Sequence, residues 1–169
     1  MALSIGLLLV RVVAGLLMTA HGTQKLLGWF GGYGLQKTGE FFTQLGFRPG
    51  RAFAAAASLA EVTSGLLVAL GLLGPIGPAL MISVMIVAVS VHWGQGLLAT
   101  TNGVELPLLY AAVALGLALT GPGSYSLDAW LGIADSWTAA ATVVVLALGI
   151  AGGFANLALR RPPAVTARA

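Results

Sequence analysis

Four ionisable side chains in this chain have the types and spacing to form one polar cluster. His21 and Lys25 lie one helical turn apart, His92 stands near the end of a later apolar run, and Glu105 begins the next one. If these runs are antiparallel helices, all four side chains fall at similar depth near one end of a bundle. The two histidines could ligate a haem, although neither lies in a haem-attachment motif. Capping, or a hydrogen bond to a carboxylate, is the simpler alternative.

Two further charges lie deep inside apolar runs: Arg11 within residues 3–27 and Glu61 within residues 52–73. A charge in hydrocarbon costs at least about 2.5–3.5 kcal/mol on insertion scales, so such residues are candidates for a functional site. We predict a buried Arg11–Glu61 ion pair, either a lock between two helices or a proton relay or ligand anchor. Small residues share a helical face with each charge, which lets two helices approach closely: Gly15 and Gly22 with Arg11, and Ala54, Ala57, Ser58, Ser64 and Gly65 with Glu61.

The composition is that of a membrane protein. Of 169 residues, 58% are hydrophobic and 8% are charged, against about 25% charged in soluble domains. The net charge of +3 is small and scattered, so no nucleic-acid surface is expected. The chain has no cysteine, which excludes thiol chemistry and thiolate metal ligation by its own residues. No metal-ligand spacing, phosphate-binding loop or catalytic triad stands out, so no self-contained catalytic motif is present.

Apolar runs of roughly spanning length predict an all-α, polytopic membrane helix bundle. Residues 1–161 are expected to form a single domain, and residues 162–169 are predicted to form a disordered cytoplasmic tail. A short interfacial helix is expected at about 35–46, because its apolar positions recur at helical spacing. The predicted spans lie at about 3–27, 52–73, 76–98, 104–121 and 137–159.

Basic residues cluster in two places, around the first loop and in the C-terminal tail. With five spans and the N-terminus outside, both clusters lie in the cytoplasm, as the positive-inside rule requires. With four spans they would lie on opposite sides, so five is the better count. The predicted protein is therefore multi-pass, with its N-terminus outside and its C-terminus in the cytoplasm.

An ordered set of motifs resembles the DoxX family of bacterial integral membrane proteins over about residues 5–130. The set comprises His21-Gly22-x-x-Lys25, a segment ending Leu45-Gly46-Phe47-Arg48-Pro49, a helix with Glu61, Asn102-Gly103-Val104-Glu105-Leu106-Pro107, and Gly121-Pro122-Gly123-Ser124-Tyr125-Ser126-Leu127-Asp128. The resemblance implies a four-helix core, to which the run at 137–159 adds a fifth, C-terminal transmembrane helix. Family motif positions here are His21, Lys25, Glu61, Glu105 and Asp128, and none brings an established catalytic role.

What the resemblance implies about function is a membrane subunit of a membrane-associated, quinone-linked redox complex. Family members resemble the small membrane subunit of a thiosulfate:quinone oxidoreductase, or belong to redox assemblies that handle thiols or superoxide. In that case His21, Lys25, His92 and Glu105 would contact a quinone, no cofactor would be covalently bound, and the partners would be the lipid bilayer and other proteins. The alternatives are a non-catalytic membrane anchor or scaffold and, less favoured, a proton or small-solute carrier.

Overall fold

The computed structural model describes residues 1–161, and this part of the chain contains helices and no strand. It is an all-α bundle, as predicted. Short 3-10 turns lie between several of the helices. The helices are α1 (Ala2–Leu27), α2 (Gly34–Gln44), α3 (Gly50–Leu70), α4 (Ile76–His92), α5 (Glu105–Thr120), α6 (Leu127–Trp130) and α7 (Ala139–Ala158).

Glycine and proline set the limits of the long helices. Helix α1 stops at Gly28 (φ 76°) and α3 stops at Gly71 (φ 62°), both in the left-handed region that ends helices at low cost for glycine. Pro49 and Pro75 stand immediately before α3 and α4, where a missing backbone N–H does no harm. Thr138 caps α7 by accepting a hydrogen bond from the Ala141 N–H at 3.2 Å.

Helices α1 and α3 are antiparallel and pack closely at glycines. A Cβ at Gly15 would lie 2.5 Å from both Ala69 N and Gly65 O, and a Cβ at Gly22 would lie 2.7 Å from Ser58 O. Such distances leave no room for a side chain, so the two backbones are in direct contact. The two small-residue faces therefore meet, as predicted.

The other helices assemble around the central pair α3 and α4. Helices α1 and α2 pack on α3, whereas α5 and α7 pack on α4. Met81 and Met85 of α4 lie in the core. The rest of the buried core is Met18, Val68, Ala79, Ile82, Ala114, Leu117, Ala118 and Leu146.

Four helical stretches are long and apolar enough to cross a membrane: α1, α3, α7, and α4 extended to Gln95. Helix α5 is also apolar but has only 16 residues, about 24 Å. The five long helices alternate in direction along the chain, so that α4 and α7, which pack together, run parallel. Helix α7 leads back to the first loop, where the Arg161 N–H donates to Gly46 O at 2.8 Å. The two basic segments therefore lie at one end of the bundle, here called the α2 end. The opposite end carries α6 and is called the α6 end.

Several predicted boundaries need correction, among them the second span, predicted at 52–73 and observed as Gly50–Leu70. The third span ends as an α-helix at His92 rather than at residue 98, because the chain turns at Gly96 (φ 92°) and His92 Nδ1 donates to Asn102 O at 2.6 Å. The short helix predicted at 35–46 is present and covers Gly34–Gln44, and its interfacial position stays a prediction. The predicted tail, 162–169, lies outside the described residues.

Substituting Gly15→Ala is expected to lower the free energy of unfolding by about 1–3 kcal/mol, because the new methyl group overpacks the α1–α3 contact. Gly6→Ala, in the same helix, is the matched control, since a Cβ there meets nothing within 4 Å. Chemical denaturation in detergent micelles measures both. Equal stability of the two variants would contradict the close contact.

Candidate functional site

A cavity of about 890 Å³ opens at the α2 end of the bundle, between α2, α3 and α4. Its walls are mostly apolar and include Phe41 and Phe42 of α2, Phe53, Ala56, Ala57 and Ala60 of α3, and Leu80, Val84, Val87 and Val91 of α4. Polar groups line it in few places, chiefly Lys25, Glu61 and His92, together with the exposed Lys37 and Glu40. The cavity has the size and the lining of a small-molecule site.

Glu61 is the buried charge of this cavity. The residue is 1% exposed, and its Oε1 forms an ion pair with Lys25 Nζ. Within residues 1–161 this is the single ion pair. The Lys25 side chain is 36% exposed, so the ammonium group reaches from water to a buried carboxylate.

The second carboxylate oxygen of Glu61 has no partner. Among residues 1–161, Oε2 is the one buried side-chain polar atom without a hydrogen bond. The nearby hydroxyl groups on α3 are already used: Ser58 Oγ donates to Ala54 O at 2.7 Å, and Ser64 Oγ donates to Glu61 O at 3.1 Å. An unsatisfied buried acceptor costs about 1–3 kcal/mol, and more if charged. Glu61 is among the residues that line the cavity, so a ligand group that donates a hydrogen bond to Oε2 would remove this cost.

The predicted Arg11–Glu61 ion pair is wrong. The antiparallel register places Gly15 against Gly65 and Ala69, and Gly22 against Ser58 and Val62. Arg11 therefore lies beyond Ala69 at the α6 end, whereas Glu61 lies about two helical turns away, towards Lys25. The sequence predicts correctly which faces of α1 and α3 meet. The axial register of the two helices is set by the particular small residues that are in contact, and the sequence does not give it.

Arg11 instead binds backbone carbonyls at the α6 end. Its Nε donates to Ala69 O at 3.1 Å, one terminal nitrogen donates to Pro122 O at 2.6 Å, and the other donates to Tyr125 O. The guanidinium group is thus surrounded by acceptors that a helix end and a loop leave unpaired. It connects α1, the end of α3 and the loop after α5.

Asp128 completes this connection. The carboxylate is fully buried and accepts hydrogen bonds from the Leu73 N–H at 2.8 Å, the Gly74 N–H at 2.6 Å and Trp137 Nε1 at 3.0 Å. Asp128 therefore binds the free N–H groups of the α3–α4 turn and, through Trp137, connects this turn to the segment before α7. Its role at this position of the sequence motif is structural.

The four residues of the predicted polar cluster are only partly together. Lys25 and His92 both line the cavity. His21 packs edge-on against Tyr110 of α5, with ring centroids 5.9 Å apart. Glu105 accepts a hydrogen bond from the Ala99 N–H at 2.7 Å and so holds the loop before α5. Within the described residues, no group of three His, Asp or Glu side chains is placed to hold a metal ion.

The cavity walls were not foreseen from the sequence. The sequence places Ala54 and Ala57 on a face for close helix packing. Ala54 is indeed buried, whereas Ala57 lines the cavity. Phe47, interpreted only as part of a motif, is fully buried between Phe42 and Phe53. A row of small residues beside a buried carboxylate was the available signal, but it does not distinguish a packed face from an open one.

The family model of DoxX matches residues 6–93, just over half of the chain. The chain belongs to the DoxX family. No curated protein and no solved structure matches it. The matched region of this DoxX protein covers α1 to α4, and so includes both Lys25 and Glu61. The motifs around Glu105 and Asp128 lie beyond the match.

A double-mutant cycle separates the two possible partners of Glu61. Lys25→Met and Glu61→Gln are expected to show a coupling free energy of about 1 kcal/mol or more, because the two groups are in contact. Arg11→Met and Glu61→Gln should be additive within about 0.5 kcal/mol, because these groups are apart. Unfolding free energies in detergent micelles provide the measurement, and strong coupling of Arg11 with Glu61 would contradict the register described above.

Proposed function

We propose that this DoxX protein is a membrane subunit that holds a lipophilic, quinone-type molecule in the α2-end cavity, as part of a membrane-associated redox complex. The observation that carries the proposal is the combination of an apolar cavity of about 890 Å³ with one ion pair, Lys25–Glu61, in its wall. An amphipathic molecule matches this cavity if its polar ring lies beside the ion pair and its apolar chain lies along the apolar walls.

The residues present fit a quinone ring. Lys25 Nζ has three N–H donors, of which Glu61 Oε1 engages one, so others can be directed to a carbonyl oxygen. The alanine, valine and leucine side chains of α3 and α4 offer an apolar surface for an isoprenoid or alkyl chain. When bound, a quinone supplies the transfer of two electrons and two protons. The chain's own part is to bind, to orient and to shield the ring from water.

Electrons would be supplied by a partner protein. The chain has no cysteine, so thiol oxidation is not performed by its own side chains. A partner that carries out such chemistry would have to dock near the cavity opening. This requirement is why we place the protein in a complex rather than treating it as a complete enzyme.

In the orientation that follows from this proposal, the α2 end faces the cytoplasm of a bacterial cell and the N-terminus lies outside. Exposed Lys37, Arg48, Arg51 and Arg161 lie at the α2 end, and Asp135 lies in the segment after α6. This distribution agrees with the positive-inside rule. It supports an inner-membrane location with the cavity opening towards the cytoplasmic side.

Filling the cavity is the direct test. Ala57→Phe is expected to weaken binding of 2-decyl-1,4-benzoquinone at least tenfold, because the new ring occupies the apolar wall. Ala147→Phe, on an exposed face of α7, is the matched control and should bind like the wild type. Binding is measured by calorimetry in lipid nanodiscs, with empty nanodiscs subtracted for partitioning.

The complex is tested by purification from native membranes in mild detergent, followed by mass spectrometry of accompanying proteins. A redox enzyme subunit that accompanies the wild type supports the proposal. The proposal would be overturned in favour of the scaffold alternative by two results together. The wild type would bind no quinone, and the same partner would accompany Ala57→Phe and Ala147→Phe equally.

A further inference from the structure

The unpaired Glu61 oxygen indicates what kind of polar head the cavity accepts. Oε2 is a pure acceptor, it is buried, and the hydroxyl groups of Ser58 and Ser64 are engaged with backbone carbonyls. Buried acceptors in folded proteins are almost always satisfied. Because Glu61 is one of the residues that line the cavity, a molecule bound there is the natural source of the missing donor.

Lys25 imposes the complementary requirement. Its ammonium group donates and cannot accept, and its partner in the structure is Glu61 Oε1. An occupant beside this ion pair therefore meets a donor at Lys25 and an acceptor at Glu61 Oε2. A hydroxyl group is the simple group that can accept from one and donate to the other at the same time.

We propose that the cavity selects amphipathic phenols and hydroquinones, whose hydroxyl group donates to Glu61 Oε2 and accepts from Lys25 Nζ. This selectivity rests on the proposed function, since it concerns the same cavity. A carbonyl oxygen satisfies Lys25 but leaves Glu61 Oε2 without a partner. A methyl ether has the same limitation and adds the bulk of the methyl group. The reduced, hydroxylated form is thus bound more tightly than the oxidised form.

Three matched probes test the selectivity: 2-decylhydroquinone, its dimethyl ether and 2-decyl-1,4-benzoquinone. Under anaerobic conditions in lipid nanodiscs, wild-type protein is expected to bind the hydroquinone about tenfold or more tightly than either other probe, because only it completes the hydrogen bonds of the ion pair. This comparison uses the wild-type chain and so does not depend on any variant folding.

Variants then assign the preference to one carboxylate. Glu61→Gln is expected to reduce the preference to less than about threefold, since a neutral amide is a weaker acceptor than a carboxylate. Asp135→Asn is the matched control, because Asp135 is an exposed carboxylate in the segment after α6, at the end of the bundle away from the cavity. It should keep the full preference. A full preference in Glu61→Gln, or an equal loss of preference in Asp135→Asn, would overturn the assignment.

The remaining outcomes separate this inference from the proposed function. Equal binding of all three probes by the wild type would overturn the hydroxyl selectivity and leave the lipophilic cavity site in place. Binding of none of them would overturn both. Tighter binding of the benzoquinone than of the hydroquinone would show that Lys25 alone governs recognition, which contradicts the role given to Glu61 Oε2.

Discussion

The contact between α1 and α3 at Gly15, Gly22 and Gly65 is the constraint on which the rest of this bundle depends. Without hydrophobic driving force between helices in lipid, close backbone approach and van der Waals packing hold them together. Small residues also fix the register, because only certain pairs can touch. That register decides which charge on one helix meets which group on the other, and so determines that Glu61 pairs with Lys25.

The two ends of the bundle use their buried charges differently. At the α6 end, Arg11 and Asp128 bind only groups that helix ends, turns and a tryptophan present, and all of these contacts hold segments together. At the α2 end, Glu61 has one carboxylate oxygen without a hydrogen-bond partner, and Glu61 lines the cavity. A fully satisfied polar network rigidifies the structure around it, whereas an acceptor without a partner is left to accept a hydrogen bond from a ligand. Function is therefore more reasonably sought at the α2 end.

The amphipathic segment between α1 and α3 lies at this end of the molecule and forms part of the cavity wall. Helix α2 lies against α3, and Phe47 is enclosed by Phe42 and Phe53 in the connection that follows. The end of α7 joins the same region, where Arg160 Nε donates to Leu45 O at 2.6 Å. Helix α7 thus packs against the region that matches the DoxX family model, and its Asn156 forms part of the cavity wall.

The sequence by itself determined the all-helical membrane class, the five apolar runs, the inward-facing charges and the DoxX family, because hydrophobicity, helical period and local motifs are properties of neighbouring residues. Only the tertiary structure decided that Arg11 and Glu61 are apart, that His21 and Glu105 lie in separate contacts, and that alanines beside Glu61 leave a cavity. Each of these depends on the axial register of one helix against another. A one-turn shift changes every partner and leaves the sequence pattern of each helix unchanged.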